Sequence, residues 1–383
     1  MKITVAMDSF KGSLDSLQCG RAVAEGIYAA IPSADIRILP LADGGEGTSR
    51  ALTSALGGQI RNVSVTGPLG NPVNASYGII SSRKLAVIEM ASAAGLYLVP
   101  EEQRDPMETT TFGVGEMIRD AVDRGCRSFI VGIGGSSTND GGTGMLAALG
   151  FRFLDSSGRP VPAGAKGLEV LNRIESGSVP ETLKECSFTV ACDVKNPLFG
   201  KDGCSLVYGP QKGADPESAE KMDGWMQNYA RITEETTGRD YSDFPGAGAA
   251  GGTGFAFISF LNAELRPGVD IVLDVTGAEA EIAGSDLVIT GEGRLDSQTP
   301  NGKAPVGISH IAEKYGVPVV AIVGSASVDA SVCNHHGITA FFPVLQVPCT
   351  IGEALDANNA YFNVRTTAEQ VGRLISAFRS GRK

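Results

Sequence analysis

The sequence predicts an α/β protein in which a parallel-sheet domain, built from both ends of the chain, is interrupted by a second α/β domain containing hairpins. Three observations predict it. Near both termini, apolar runs of strand length alternate with helical runs, the rhythm of a parallel sheet. Between residues 61 and 90 that rhythm gives way to apolar runs whose connections are too short for a crossover helix. The length, 383 residues, suits two domains at roughly 100–200 residues each. These observations place the discontinuous domain at 1–64 plus 284–383 and the inserted domain at 65–283.

Lys2 to Met7, KITVAM, reads as a short buried strand that runs directly into DSFKGS. Leu14, Leu17, Ala22, Val23 and Ile27 then form an imperfect helical stripe, with Ser13 or Asp15 as its cap. IRILPL predicts the second strand, followed by ADGGEGT and the helix-like TSRALTSAL. VSVTG, VNASYGII and KLAVIEM predict the hairpin strands, separated by PLGNP and SSRK. ETTTFGVGEMIRDAVDRG predicts a helix, and RSFIVGIGG a strand entering a glycine-dense loop. CSFTVACDV predicts another strand, and KNPLFGKDGCSLVYGPQKGA a loop longer than ordinary connections. A helix entered through Pro216 follows, then GAGAAGGTGFAFISFL, glycines leading into apolar residues at helical spacing. From residue 286, DLVIT, PVGISHIAEKY, PVVAIVGS, ITAFFPVL and TTAEQVGRLISAFRS restore the alternation.

The formal net charge is −11 and no basic stripe occurs, which argues against a nucleic-acid partner. An acidic total does not exclude an anionic ligand, because a local pocket can oppose the global charge. Seven cysteines without a CxxC pair read as reduced thiols, not as a disulfide framework or zinc site. The opening MKITVAMDSF reaches Asp8 too early for a signal peptide. Its longest apolar runs fall short of a membrane span, and no lipidation signal supports anchoring. The chain therefore reads as cytoplasmic.

Fifty of the 383 residues are glycine, nearly twice the usual share of about 7%. The densest stretch, GIGGSSTNDGGTG at 132–144, lies between a predicted strand and a helix-like run. A helix N-terminus leaves amides unpaired, glycines admit close backbone approach, and Ser136, Ser137 and Thr138 add hydroxyls. Phosphate cradling and tight sheet–helix packing both account for this composition. No GxxxxGK[ST] loop occurs, and GIGGSS misses the GxGxxG register. Asp140 reads as a helix cap or as a holder of a hydrated cation. PGAGAAGGTG at 245–254 repeats the GGTG of 141–144 and offers the same two readings.

Polar residues gather just past the predicted strands. Asp8, Ser9 and Lys11 follow the first; Asp43, Glu46 and Thr48 the second. Asp193, Lys195 and Asn196 follow CSFTVAC, and Glu292, Arg294 and Asp296 follow DLVIT. Each alone also reads as a surface turn or cap, but open α/β sheets bind ligands outside this edge. Phosphoryl transfer asks for cations or amides at the phosphates, a divalent ion, an acceptor-orienting group and a dry cleft. Lys11, Lys195, Lys212, Arg294 and Lys303 are candidate cations, and Asp193 or Asp296 a candidate proton acceptor or magnesium ligand. The three histidines, 310, 335 and 336, supply no metal-hydrolase set, and GxSxG is absent.

Taken in order, a set of motifs resembles the bacterial type 1 glycerate kinases over nearly the whole chain. It comprises DSFKGS (8–13), ADGGEGT (42–48), VTGPLG (65–70), IEMASAAGL (88–96), GIGGSSTNDGGTGM (132–145), ACDVKNPLFG (191–200), YGPQKGA (208–214), PGAGAAGGTG (245–254) and TGEGRLDSQTPNGKAP (290–305). The resemblance implies two α/β domains, one discontinuous and Rossmann-like, with the active-site cleft between them. It also implies ATP- and Mg2+-dependent phosphorylation of D-glycerate, at the 2-hydroxyl to give 2-phospho-D-glycerate, with the 3-phosphate as the alternative product. Residue chemistry at the matching positions nominates Asp193, Asp296, Lys11 and Arg294 as catalytic, with Asp193 and Asp296 also as metal ligands. Gly134, Gly135, Ser136, Ser137, Thr138, Asn139, Gly141, Gly142 and Lys212 are expected at the nucleotide. Asp8, Ser9, Asp43, Glu46 and Arg294 are expected at the substrate. Which aspartate is base and which metal ligand stays open, and the assembly is expected to be a monomer or homodimer. The rivals are a non-catalytic small-molecule binding protein and a NAD-linked 2-hydroxy-acid dehydrogenase; the missing dinucleotide fingerprint disfavours the latter.

Overall fold

Lys2–Met7, buried from Ile3 onward, is an inner strand of a five-stranded sheet whose members are all parallel. The structure is a computed structural model that describes residues 1–41, 45, 47–300 and 304–380. From edge to edge the sheet runs Asp35–Ile38, Lys2–Met7, Leu287–Gly291, Val319–Val323 and Ala340–Pro343. Numbered in chain order within the sheet, the strands stand 2-1-3-4-5, so the winding reverses between Lys2–Met7 and Leu287–Gly291. Side chains alternate across the sheet. Ile322 packs with Ile3, Val5 and Ile289 against helices Ser16–Ala30 and Ala357–Ser380. Ala321 and Val323 face the other way, toward Val306 of helix Ala304–Lys314 and toward Ile338.

A second, six-stranded sheet runs Glu264–Arg266, Ser187–Ala191, Ser128–Gly132, Leu85–Glu89, Pro72–Ile80 and Gln59–Thr66. The first four strands are parallel, and the last two are added antiparallel as the predicted hairpins. Phe129 stacks on Phe188 at 4.8 Å between ring centroids. Their core continues through Tyr229 of helix Pro216–Thr237 and through Phe255 and Phe257 of helix Ala249–Leu261.

The chain divides into two compact units, Met1–Asp43 with Val269–Lys383, and Gly44–Gly268. These borders differ from the expected 64/65 and 283/284 for local reasons. Gln59–Thr66 pairs along its whole length with Pro72–Ile80. Upstream of it, the Glu89 carboxylate accepts the amides of Gly47 and Ser49 at 3.2 and 2.6 Å, at the start of helix Thr48–Ala55. Both contacts hold residues 47–64 to the second sheet. At the other end, Val269 and Leu273 of helix Gly268–Thr276 lie against Gly307 of Ala304–Lys314, and so belong with the first sheet. Among the described residues, no helix is long and apolar enough to cross a membrane.

Candidate active site

In the first unit, the polar residues that follow the sheet strands converge on a cavity of about 550 Å³. Asp8, Ser9, Lys11 and Ser13 come from the loop after Lys2–Met7. Glu292 and Arg294 come from the loop after Leu287–Gly291, and Ser325 from the loop after Val319–Val323. Glycines let these loops approach. A Cβ on Gly291 would overlap the carbonyl oxygen of Ile322, and one on Gly324 would overlap that of Gly293. The Asp8 amide donates to the Gly291 carbonyl at 2.9 Å, and the Gly324 amide to the Glu292 carbonyl at 3.0 Å.

Asp8 and Glu292, at the point where the winding reverses, are both buried. Asp8 accepts the Ser9 amide at 2.7 Å, and Glu292 accepts the Thr299 hydroxyl at 2.7 Å. Lys11 and Arg294 are the exposed cations lining the cavity. The Arg294 Nε lies 3.6 Å from an Asp296 oxygen, and the other Asp296 oxygen accepts the Gln298 amide at 3.0 Å. The nearby helix Ser16–Ala30 does not offer its N-terminus to an anion. Asp15 and Gln18 close it with a capping box, the Asp15 carboxylate accepting the Gln18 amide at 2.7 Å. Anion attraction in this cavity therefore rests on side-chain cations.

In the second unit, register places Glu89, Gly132, Ala191 and Arg266 in a row across the carboxyl ends of the parallel strands. Just beyond this row, Gly134, Gly135 and Asp193 are exposed. Asp193 accepts the Gly268 amide at 3.0 Å. Asp193 belongs to the second unit and Asp296 to the first, and both carboxylates brace loops. Among the described residues, no group of three or more His, Cys, Asp or Glu side chains could hold a metal ion. Asp43, Glu46 and Lys303 lie outside the described residues.

The remainder of the glycine stretch, expected at the nucleotide, turns inward. Ser137, Thr138, Asn139, Gly141 and Gly142 are buried; several of their polar groups bond within the protein, whereas the Thr138 hydroxyl and the Asn139 side-chain oxygen have no hydrogen-bond partner among the described residues. Ser137 donates its hydroxyl to the Ala94 carbonyl, Asn139 its side-chain amide to Ser205, and Gly141 its backbone amide to the Gly251 carbonyl. The Asp140 carboxylate accepts the Thr111 amide and hydroxyl, both at 2.8 Å, and the Gly142 and Gly144 amides at 3.0 and 3.3 Å. Lys212 is 2% exposed and donates to the Thr138 carbonyl at 2.6 Å. Burial pulls its pKa down to about 8. A Cβ on Gly251 would overlap the Thr138 carbonyl oxygen, and one on Gly142 would press on Ala256. The two glycine stretches thus pack against each other, and only Gly134 to Ser136 remain at the sheet edge.

Glu292 stands among the strand-end residues without a role assigned from the sequence, and the cavity also has an apolar wall. That wall is Val344 and Leu345, past the last strand, with Ile351 and Leu355 of the short helix Ile351–Leu355. The sequence places Val344 and Leu345 at the end of the apolar run ITAFFPVL, which reads as strand, and Ile351 and Leu355 beyond it.

An open parallel sheet whose winding reverses beside a cavity lined by charges of both signs defines the class of α/β proteins built to hold a small ligand outside the strands' carboxyl ends. The profile of the glycerate kinase family matches residues 3–376, and the chain belongs to that family. It is 44% identical over 381 residues to a glycerate kinase of Halalkalibacterium halodurans, covering 100% of this chain and 99% of the relative. It is also 44% identical over 376 residues to the glycerate 2-kinase of Escherichia coli, covering 98% of each. A crystal structure assigned to glycerate kinase 2 of Salmonella typhimurium LT2 matches with a TM-score of 0.92 and 48% identity, over 99% of both chains.

Proposed function

We propose that this protein transfers the γ-phosphoryl group of ATP to the 2-hydroxyl of D-glycerate, giving 2-phospho-D-glycerate and ADP. The observation that carries this reading is family membership along the full chain, with a relative named glycerate 2-kinase aligned over 98% of both sequences. The cavity supports it chemically. Lys11 and Arg294 meet anionic oxygens, while Asp8 and Ser9 offer polar contacts to the acceptor. The glycerate oxygen forms a bond to phosphorus as the bond to the bridging oxygen of ADP breaks. The hydroxyl proton passes to a carboxylate, for which Asp193 and Asp296 are the candidates. Preorganised charge and positioning supply most of the catalysis in such transfers.

Magnesium belongs to the same proposal. This ion keeps several waters and takes one or two carboxylates plus phosphate oxygens, not a full protein cage. Asp8 and Glu292, buried in one cavity, fit that demand, and the bound ion would offset phosphate charge. The test is to incubate the purified chain with Mg-ATP and D-glycerate and resolve the products by phosphorus NMR. A 2-phosphoglycerate resonance is expected. The 3-phosphate in its place would change the regiochemistry, and no glycerate-dependent ADP would reject the reaction.

A further inference from the structure

The phosphoryl-transfer reading does not say where the nucleotide base lies, and the cavity of the first unit bears on that. At about 550 Å³ it falls within the roughly 300–1,000 Å³ typical of pockets for drug-sized ligands. A three-carbon acid would leave most of it empty. Its two walls also differ in kind. One carries Asp8, Lys11, Glu292 and Arg294; the other is apolar, formed by Val344, Leu345, Ile351 and Leu355.

Leu345, Ile351 and Leu355 are 42%, 79% and 44% exposed, so large apolar side chains stand uncovered along one side of the cavity. Grouped exposure of this kind marks a binding face. Glycerate has no apolar face to cover it. A purine does, and its phosphates extend far enough to reach the opposite, charged wall. The strand order adds a second argument. In a 2-1-3-4-5 sheet the crevice outside the carboxyl ends of strands 1 and 3 is where the winding reverses, and mononucleotides bind there. Here that crevice opens between Asp8 and Glu292. A third observation is the Ser13 hydroxyl, which lines the cavity and has no hydrogen-bond partner among the described residues.

We propose that this cavity is the nucleotide subsite. The adenine of ATP lies on Val344, Leu345, Ile351 and Leu355, the Ser13 hydroxyl bonds the ribose or base, and the phosphates run to Lys11 and Arg294. This assignment rests on the kinase reading and relocates the nucleotide from the glycine stretch at 134–142.

The test is calorimetric titration of the full chain with ADP, with inorganic tripolyphosphate and with D-glycerate. Two variants are compared with the parent, Leu345→Asn and the double variant Ile351→Asn with Leu355→Asn. All three side chains are exposed, and both variants are neutral. The ADP Kd should rise about tenfold in the double variant, and measurably in Leu345→Asn, as apolar contact area is lost. Tripolyphosphate, which has no base, should bind all three proteins alike. Unchanged ADP affinity in both variants overturns the proposal, as does weaker glycerate binding with ADP binding intact. Failure of the kinase reading is separable, because the parent would then bind ADP yet form none from ATP in response to glycerate.

Discussion

Lys212 is the residue whose burial is hardest to reconcile with a ligand-binding role and easiest to test. Its ammonium is enclosed and donates to the Thr138 carbonyl at 2.6 Å, and desolvation lowers its pKa to about 8. In the unfolded chain a lysine titrates near 10.4. Below about pH 8 both states hold the proton, and the cost of burying it is constant. Between about pH 8 and 10.4 the unfolded state holds the proton while the folded state releases it, so stability rises with pH across that window. Lys212→Met removes the titration. Urea unfolding at pH 7.5, 9 and 10 should therefore show the parent gaining stability relative to the variant as pH rises. A constant difference would mean that Lys212 reaches solvent. The same residue shows why composition leaves this region open to two readings. Hydroxyls, glycines and a lysine serve an anion or a buried polar cluster equally well. Only long-range partners decide between them, and Thr111, Ser205 and Gly251 are remote in sequence from Asp140.

Among the elements, strands were the most legible. Continuous apolar runs marked Lys2–Met7, Ser128–Gly132, Ser187–Ala191, Leu287–Gly291 and Val319–Val323, because strands buried on both faces leave no polar alternation. Turn residues marked the hairpin of Gln59–Thr66 with Pro72–Ile80. The unit border at 43/44 was not legible. It depends on Glu89, some forty residues downstream, which holds the start of helix Thr48–Ala55 through the Gly47 and Ser49 amides. Glu89 acts there as a remote cap, since Gly47 at the helix start has no side chain to do so. Glu89→Ala should cost about 1 kcal/mol, the typical worth of a lost cap. Hydrogen exchange should accelerate at Ser49. An unchanged urea midpoint with unchanged exchange would show that another group holds this turn. Of the strand-end residues, Asp8, Glu292 and Arg294 line one cavity, whereas Asp193 belongs to the other unit. The apolar wall of that cavity was not legible, since Val344 reads as the tail of the strand-like run ITAFFPVL and Ile351 lies beyond it.

At the scale of the whole chain, the two units differ in how they can be assembled. The inserted unit is one continuous segment, and among the described residues its buried core cluster runs from Val65 to Leu261, with Val63, Ala263 and Leu265 packed against it. The other unit joins Ile3, Val5 and Val23 to Leu287, Ile289 and Val364, so its inner strand Lys2–Met7, paired on one side with Asp35–Ile38, waits for its other partner, Leu287–Gly291, nearly 300 residues later. Pairing across that separation carries a loop-closure cost, unless the segment between has already folded and shortened it. Domains that fold as units do this during synthesis. The isolated segment 44–268 is therefore expected to show a single cooperative urea transition with helix and strand signals by circular dichroism. The segment 44–383, which lacks Lys2–Met7, should leave its C-terminal portion unfolded. Nucleotide titration of 44–268 then separates the two places the sequence and the structure suggest for ATP. If the cavity beside Asp8 and Glu292 holds the nucleotide, the folded 44–268 segment will not bind ADP. Binding by that segment at the affinity of the full chain would return the nucleotide to the sheet edge at Gly134 and Gly135.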